Sequence, residues 1–226
     1  MPVIYLLRHG QAAFGADDYD QLSDLGRRQA ERAGEHLRQR IGRAERLVAG
    51  AMRRRQDSAR AAADKLRGSP AVAEDRAWDE YDHMALIHAH VPELADPGAL
   101  REHLAAQPDP QVAFQALFSA AAERWINGSG DYRESWDDFR GRVVGGLRRL
   151  GGDLASGESA VVVTSGGPIA AICHELLGVP KQQVLRLSWT LVNAGLTKLL
   201  LSGSGEVTVS SLNEHGFLEA ESITYR

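Results

Sequence analysis

The 226-residue chain has one cysteine, Cys173, so no intrachain disulfide can form. That usage fits a reducing compartment. Lysine is scarce: Lys65, Lys181 and Lys198 are the only three, and the remaining basic charge is arginine. Neither sign of charge dominates. The formal net charge is -4 and the isoelectric point is about 6.1, which gives no footing for a protein that coats nucleic acid. No apolar run approaches the roughly 20 residues of a membrane span. The apolar opening Val3-Ile4-Tyr5-Leu6-Leu7 is too short for a secretory signal and has no basic segment before it. A cytoplasmic protein with no nucleic-acid and no membrane partner is the expectation. The hydrophobic fraction of 43% and charged fraction of 25% exclude disordered and fibrous classes. At this length a single domain over residues 1–226 is expected, large enough to need no disulfide or structural metal.

Several reaction classes lack their motifs. Six positions after Cys173 stands Val179 rather than arginine, so the cysteine-phosphatase loop is missing. No phosphate loop ending in Gly-Lys-Ser/Thr occurs, and no G-x-G-x-x-G. Val163 stands two residues before Ser165, where a serine-hydrolase elbow needs glycine. His174-Glu175 is not followed by the second histidine of a zinc helix. His88-Ala89-His90 could bind metal along an extended segment, but two exposed polar histidines are the favoured reading.

What is present alternates short apolar runs with longer amphipathic stretches, the pattern of an α/β fold. Val3–Leu7 and Val161–Val163 are continuous apolar runs, expected of strands buried on both faces. Arg46–Ala49 and Ala71–Ala73 are weaker strand candidates. Ser23 or Asp24 can cap a helix reaching about Ile41, and Met52–Leu66 is helical in pattern. Gly166-Gly167-Pro168 turns into a helix that Gly178 and Pro180 stop. Val184–Trp189, Leu196–Leu201 and Val207–Leu212 are predicted as three closing strands, the last two forming a hairpin. Residues 83–157 contain no convincing strand. They are read as a helical insertion over one side of the sheet.

The chemistry gathers at a few places. Arg8-His9-Gly10 follows the first buried strand, and ligands of open α/β sheets bind beyond the carboxyl ends of strands. Arginine grips phosphate or carboxylate oxygens with paired hydrogen bonds. A neutral imidazole beside it can be base, nucleophile or metal ligand. Downstream come Asp20-Gln21-Leu22-Ser23-Asp24-Leu25-Gly26, then Arg53-Arg54-Arg55-Gln56-Asp57-Ser58, then Trp78-Asp79-Glu80, and finally Val163-Thr164-Ser165-Gly166-Gly167-Pro168.

This ordered set resembles the histidine phosphatase, or phosphoglycerate mutase-like, superfamily over essentially the whole chain. The resemblance implies a three-layer α/β fold with a mainly parallel central sheet flanked by helices. It implies that His9 is a nucleophile that carries the phosphoryl group, that Arg8 and Arg53 clamp its oxygens, and that Glu80 protonates the leaving oxygen. Glu74 is the competing acid. Arg54 and Arg55 are read as solvated, because the family spacing puts the arginine three residues before Gln56. Glu134, Ser135, Arg142 and Asn193 also fall where members often carry these residues. No metal or organic cofactor is expected, since guanidiniums supply the positive charge. The substrate class is a phosphomonoester, and a small phosphorylated molecule or phosphate is the expected partner.

One position departs from the family pattern. Most members carry a second histidine before the Gly-Gly loop, and here that residue is Ser165. Serine donates one hydrogen bond but brings no charge, and loss of such a donor costs about 2.7–4 kcal/mol of transition-state stabilisation. Ser165 and Gly166 remain candidate phosphate ligands at a helix N-terminus, and His83 is a candidate substitute for the missing imidazole. Three readings follow: a phosphohydrolase acting through phospho-His9, a catalytically weak phospho-ligand-binding protein of the same fold, and, behind both, a phosphoglycerate mutase. Phe14 and Tyr19 are candidate pocket residues. The four tryptophans are read as packing, and Cys173 as an inert buried thiol.

Overall fold

The computed structural model describes residues 1–13, 20–68 and 70–225. Phe14 and Tyr19 lie outside the described residues. A six-stranded sheet forms the middle layer. Its strands are β1 (Val3–Arg8), β2 (Arg46–Ala49), β3 (Ala73–Glu74), β4 (Ser159–Thr164), β5 (Leu196–Leu201) and β6 (Val207–Glu214). Their spatial order is β3-β2-β4-β1-β5-β6. The first four run parallel, while β5 and β6 are antiparallel and close one edge.

The apolar runs of β1 and β4 serve two cores at once, as period-2 side-chain alternation requires. Ile4, Leu6, Ala160 and Val162 enter one core, with residues of α6 (Trp136–Gly152), α7 (Gly166–Leu177) and α8 (Lys181–Thr190). Tyr5, Leu7, Val161 and Val163 enter the other, with α1 (Asp24–Ile41) and α2 (Arg53–Ala63). Strand β1 therefore leads to a helix on one face, and its neighbour β4 leads to a helix on the opposite face. The gap between their carboxyl ends is a topological switch point, where such sheets open a ligand crevice. The register pairs Arg8 with Thr164, so His9 and Ser165 emerge side by side.

Three expectations need correction. Val184–Trp189 is not a strand but lies in α8, whose buried Val184, Leu185 and Ser188 follow helical spacing. The stretch holds four apolar residues around Arg186 and Ser188 and is too short to separate the two periods. His88 and His90 are neither in an extended segment nor exposed, and both are half-buried. They sit in the last turn of α3 (His83–His90), where residues two apart point to different sides and cannot converge on an ion. The helices of residues 83–157 are not all an insertion. The α3, α4 (Pro97–Ala105) and α5 (Pro110–Ile126) helices pack on one another, and α3 and α5 add Leu86, Ile87, Ala121 and Trp125 to the same core into which α6 lays Phe139, Val143, Leu147 and Leu150. Ser23 caps α1, accepting from the Gly26 N–H at 3.0 Å.

Of the tryptophans, Trp78, Trp125 and Trp136 are buried and Trp189 is exposed. Cys173 is buried, and burial pushes its thiol pKa up to about 11. No helix among the described residues is long and apolar enough to cross a membrane.

Candidate active site

His9 is nearly enclosed, at 6% exposure, directly after β1. Backbone bonds hold it from both sides. Its N–H donates to the Thr164 carbonyl at 2.9 Å, and its own carbonyl accepts from Asn193 Nδ2 at 3.2 Å. Its Nδ1 lies 2.7 Å from the Gly10 carbonyl. A carbonyl only accepts, so Nδ1 carries the proton and Nε2 keeps its lone pair. Burial holds the His9 pKa well below the ordinary histidine value, and the charges of Arg54, Arg8 and Arg55 push the same way against the Gly10 carbonyl. The imidazole is thus a neutral nucleophile or base ringed by fixed cations.

Gly10 is small for a reason other than ligand approach. A Cβ there would overlap the backbone of Gly26, where the loop after β1 crosses the first turn of α1. The Gly10 N–H donates to Ser58 Oγ at 3.0 Å, and that hydroxyl donates to the Arg54 carbonyl at 2.7 Å. One face of α2 is thereby pinned beneath the histidine.

That pinning decides which arginines serve the site. Arg53 is exposed, and its Nε lies 3.6 Å from Asp57. Arg54 and Arg55 instead turn inward, reversing the expected assignment. Arg54 Nη1 lies 3.4 Å from Asp20 Oδ1, while Asp20 Oδ2 accepts from the Arg53 N–H at 2.8 Å at the start of α2. Arg55 is fully buried, bonded to Asp79 and Ser165. A signal for the right register was available. Ser58 lies four residues after Arg54 and three after Arg55, so these residues share a helix face. Anchoring on Gln56 selected the wrong one.

Arg8 Nη1 donates to the Leu191 carbonyl and Nη2 to the Tyr225 carbonyl at 3.1 Å. Its guanidinium therefore ties the chain's last described turn to the strand end, while its charge still acts on His9.

Glu80 reaches the site from the segment after the short 3-10 turn Arg76–Trp78. Its Oε2 accepts from the Gly167 N–H at 2.9 Å. Burial raises its pKa, opposed by that bond, the Arg55 charge, the Tyr81 N–H and the Arg54 charge. Gly167 is essential to the fit, because a Cβ there would lie 2.8 Å from both Glu80 Cδ and Tyr81 Cε1. Arg142 fixes the approach. It grips Glu134 with two bonds, 2.7 and 2.9 Å, and Nη1 donates to the carbonyls of Arg76, Ala77 and Asp79. Ser135 caps α6 in a reciprocal box with Asp138. Glu74 is exposed on β3, 3.9 Å from Arg76, and takes no part.

Ser165 is buried between β4 and α7, with Gly166 opening the helix. His83 stands at the start of α3 with its ring edge-on to Phe118, 6.4 Å between centroids. It is Arg55, not His83, that meets Ser165.

A buried histidine, two inward arginines and a carboxyl biased toward its protonated form thus gather at the switch point of the sheet, a set of groups suited to phosphoryl transfer. The chain belongs to the histidine phosphatase superfamily (branch 1), which its residues 4–215 match. It is 31% identical over 188 residues, 78% of this chain and 75% of the relative, to a glucosyl-3-phosphoglycerate phosphatase of Mycolicibacterium vanbaalenii. It is 24% identical over 225 residues to the mitochondrial serine/threonine-protein phosphatase Pgam5 of Drosophila virilis, covering 99% of this chain but 66% of that protein. Among solved structures, YhfR of Bacillus stearothermophilus superimposes with a TM-score of 0.69 at 16% identity, covering 97% of this chain and all of the other. A mycobacterial glucosyl-3-phosphoglycerate phosphatase in complex with inorganic phosphate gives 0.62 at 23%, covering 96% and 99%. These two establish a shared fold.

Proposed function

We propose that the protein is a phosphomonoester hydrolase that works through a phosphohistidine at His9. The observation that carries this reading is the 2.7 Å contact of buried His9 Nδ1 with the Gly10 carbonyl, which puts the proton on Nδ1 and the lone pair on Nε2, among guanidiniums that would repel its protonation. A phosphomonoester approaches with nearly two negative charges. A neutral nucleophile avoids the repulsion an anionic one would meet, and fixed cations stabilise charge on the transferring group. His9 Nε2 bonds to phosphorus as the ester P–O bond breaks. Glu80 gives its proton to the departing oxygen, which its raised pKa favours. Water then attacks phospho-His9, returning a proton to the Glu80 carboxylate and releasing phosphate. Arg8 and Arg54 supply positive charge, and Ser165 with the Gly166 N–H lines the phosphate cradle. No step requires a metal.

Both curated relatives are named as phosphatases, which supports this reaction class. The test is phosphate release from a panel of phosphomonoesters in chelator, wild type against His9→Ala. Turnover that vanishes in the variant supports the mechanism. No turnover, with phosphate still bound, would favour the binding-protein reading that Ser165 suggests. A rate that depends on a bisphosphorylated primer would mark a mutase.

A further inference from the structure

Arg55 has no solvent-exposed surface, yet only part of its guanidinium is matched. Nε donates to Ser165 Oγ and Nη1 to Asp79 Oδ1, each at 2.8 Å. Nη2 is buried and has no hydrogen-bond partner. Buried charged donors are costly to leave unmatched, and native proteins rarely do so without a functional reason.

The socket around Arg55 is built for it. A Cβ on Gly50 would lie 2.9 Å from Arg55 Cδ and Nη1 and 2.8 Å from Asp79 Oδ1. Asp79 is itself held by the Ala51 N–H at 2.7 Å. Asp79 precedes Glu80, and Ser165 stands beside His9 at the sheet ends, so the guanidinium is bonded to the chain neighbour of one reacting group and the cross-strand neighbour of the other. Its charge acts on both.

We propose that Arg55 Nη2 is a ligand of the phosphoryl group at His9, and that Ser165 is a positioning residue that holds this guanidinium in place. The proposal rests on the phosphate reading of the site and extends it to a residue that the family resemblance did not assign. It also accounts for Ser165. The Ser165 hydroxyl already contacts Nε, so a side chain as large as imidazole at 165 and the Arg55 guanidinium would compete for one volume. Where most relatives' pattern puts a histidine, this chain brings an obligate cation from α2 and a small hydroxyl to seat it. Unlike imidazole, the guanidinium keeps its charge at every physiological pH.

Binding of inorganic phosphate or orthovanadate, measured by calorimetry, tests this without requiring turnover. Arg55→Lys keeps a cation for Asp79 but loses Nη2, and its phosphate affinity is expected to fall roughly ten- to hundredfold, the usual effect of one charged hydrogen bond. Arg53→Lys, on the exposed neighbour, serves as the control and is expected to stay within about twofold. Ser165→His alone is expected to weaken binding, because it displaces Arg55. Adding Arg55→Ala to Ser165→His is expected to bind more tightly than Arg55→Ala alone. Unchanged affinity in a folded Arg55→Lys protein would overturn the proposal, leaving Arg55 a structural cation. If the variants do not fold, the wild-type guanidinium resonances decide: Arg55 Nη signals that shift and rotate more slowly with phosphate support it, and unaltered ones overturn it. Phosphate bound through Arg55 without turnover of any ester would sink the hydrolase reading alone. His9-dependent turnover with normal Arg55→Lys binding would sink this inference alone.

Discussion

Gly167→Ala probes the role of Glu80 without replacing a titrating group. The added methyl would stand 2.8 Å from Glu80 Cδ and 2.8 Å from Tyr81 Cε1. Carbon atoms rest at about 3.5–4.0 Å, so both contacts must open by about 1 Å, and the methyl also overlaps Glu80 Oε1. The Tyr81 ring yields less readily, since it packs against Trp125 and Phe139 at 4.9 and 5.5 Å between centroids. The Glu80 carboxyl therefore moves and lengthens its bond to the Gly167 N–H. A displacement of this size at a reacting group costs on the order of 10²-fold in rate. Overpacking should also cost about 1–3 kcal/mol of stability, roughly 2–4 °C of melting temperature per kcal/mol for a chain of this size. The assay compares alkyl phosphates, whose leaving oxygen needs a proton, with 4-nitrophenyl phosphate, whose leaving group departs without one. The alkyl substrates are expected to lose about 10²-fold in kcat and the aryl substrate little. Equal losses on both classes, in a protein that remains folded, would refute Glu80 as the proton donor.

Other expectations follow from the same geometry. Arg54→Gln is expected to lower kcat/KM by about 10²–10³, the cost of one charge-stabilising donor, while the exposed Arg53→Gln changes it little; steady-state kinetics with one good substrate separates them. His9 titrates below its ordinary value of 6.5 in the folded state, so between the two values the unfolded chain binds the extra proton and stability falls as pH drops below 6.5. His9→Gln removes that loss, and its melting temperature should gain on wild type progressively in acid; a constant gap from pH 7 to 5 would contradict the shift. Arg142→Lys loses the paired grip on Glu134 and loosens the carbonyls ahead of Glu80, so kcat should fall with little change in KM, a split visible in saturation curves.

The α/β class, the strand-end location of His9 and the Gly-Gly turn into a helix were legible because each depends on local order. Buried strands read as apolar runs, and glycine marks close approach. The family resemblance favours Glu80 over Glu74, and the tertiary structure leaves Glu74 exposed on β3. The α8 helix is not legible as a helix because a six-residue stretch with four apolar residues suits either period.

The arginine assignment marks the limit of the sequence most sharply. Three consecutive arginines carry the same chemistry, and which of them faces His9 is decided by the rotation of α2. That rotation is set by contacts far apart in the chain: Ser58 under Gly10, Asp79 and Ser165 around Arg55, Asp20 at the helix start. By itself the sequence determined which chemical groups are available and near which strand ends they lie, since buried strands read as local apolar runs. Only the tertiary structure decided that Ser165 and Arg55 share one space, because a helix's facing is fixed by packing and a buried charge by partners that no local pattern records.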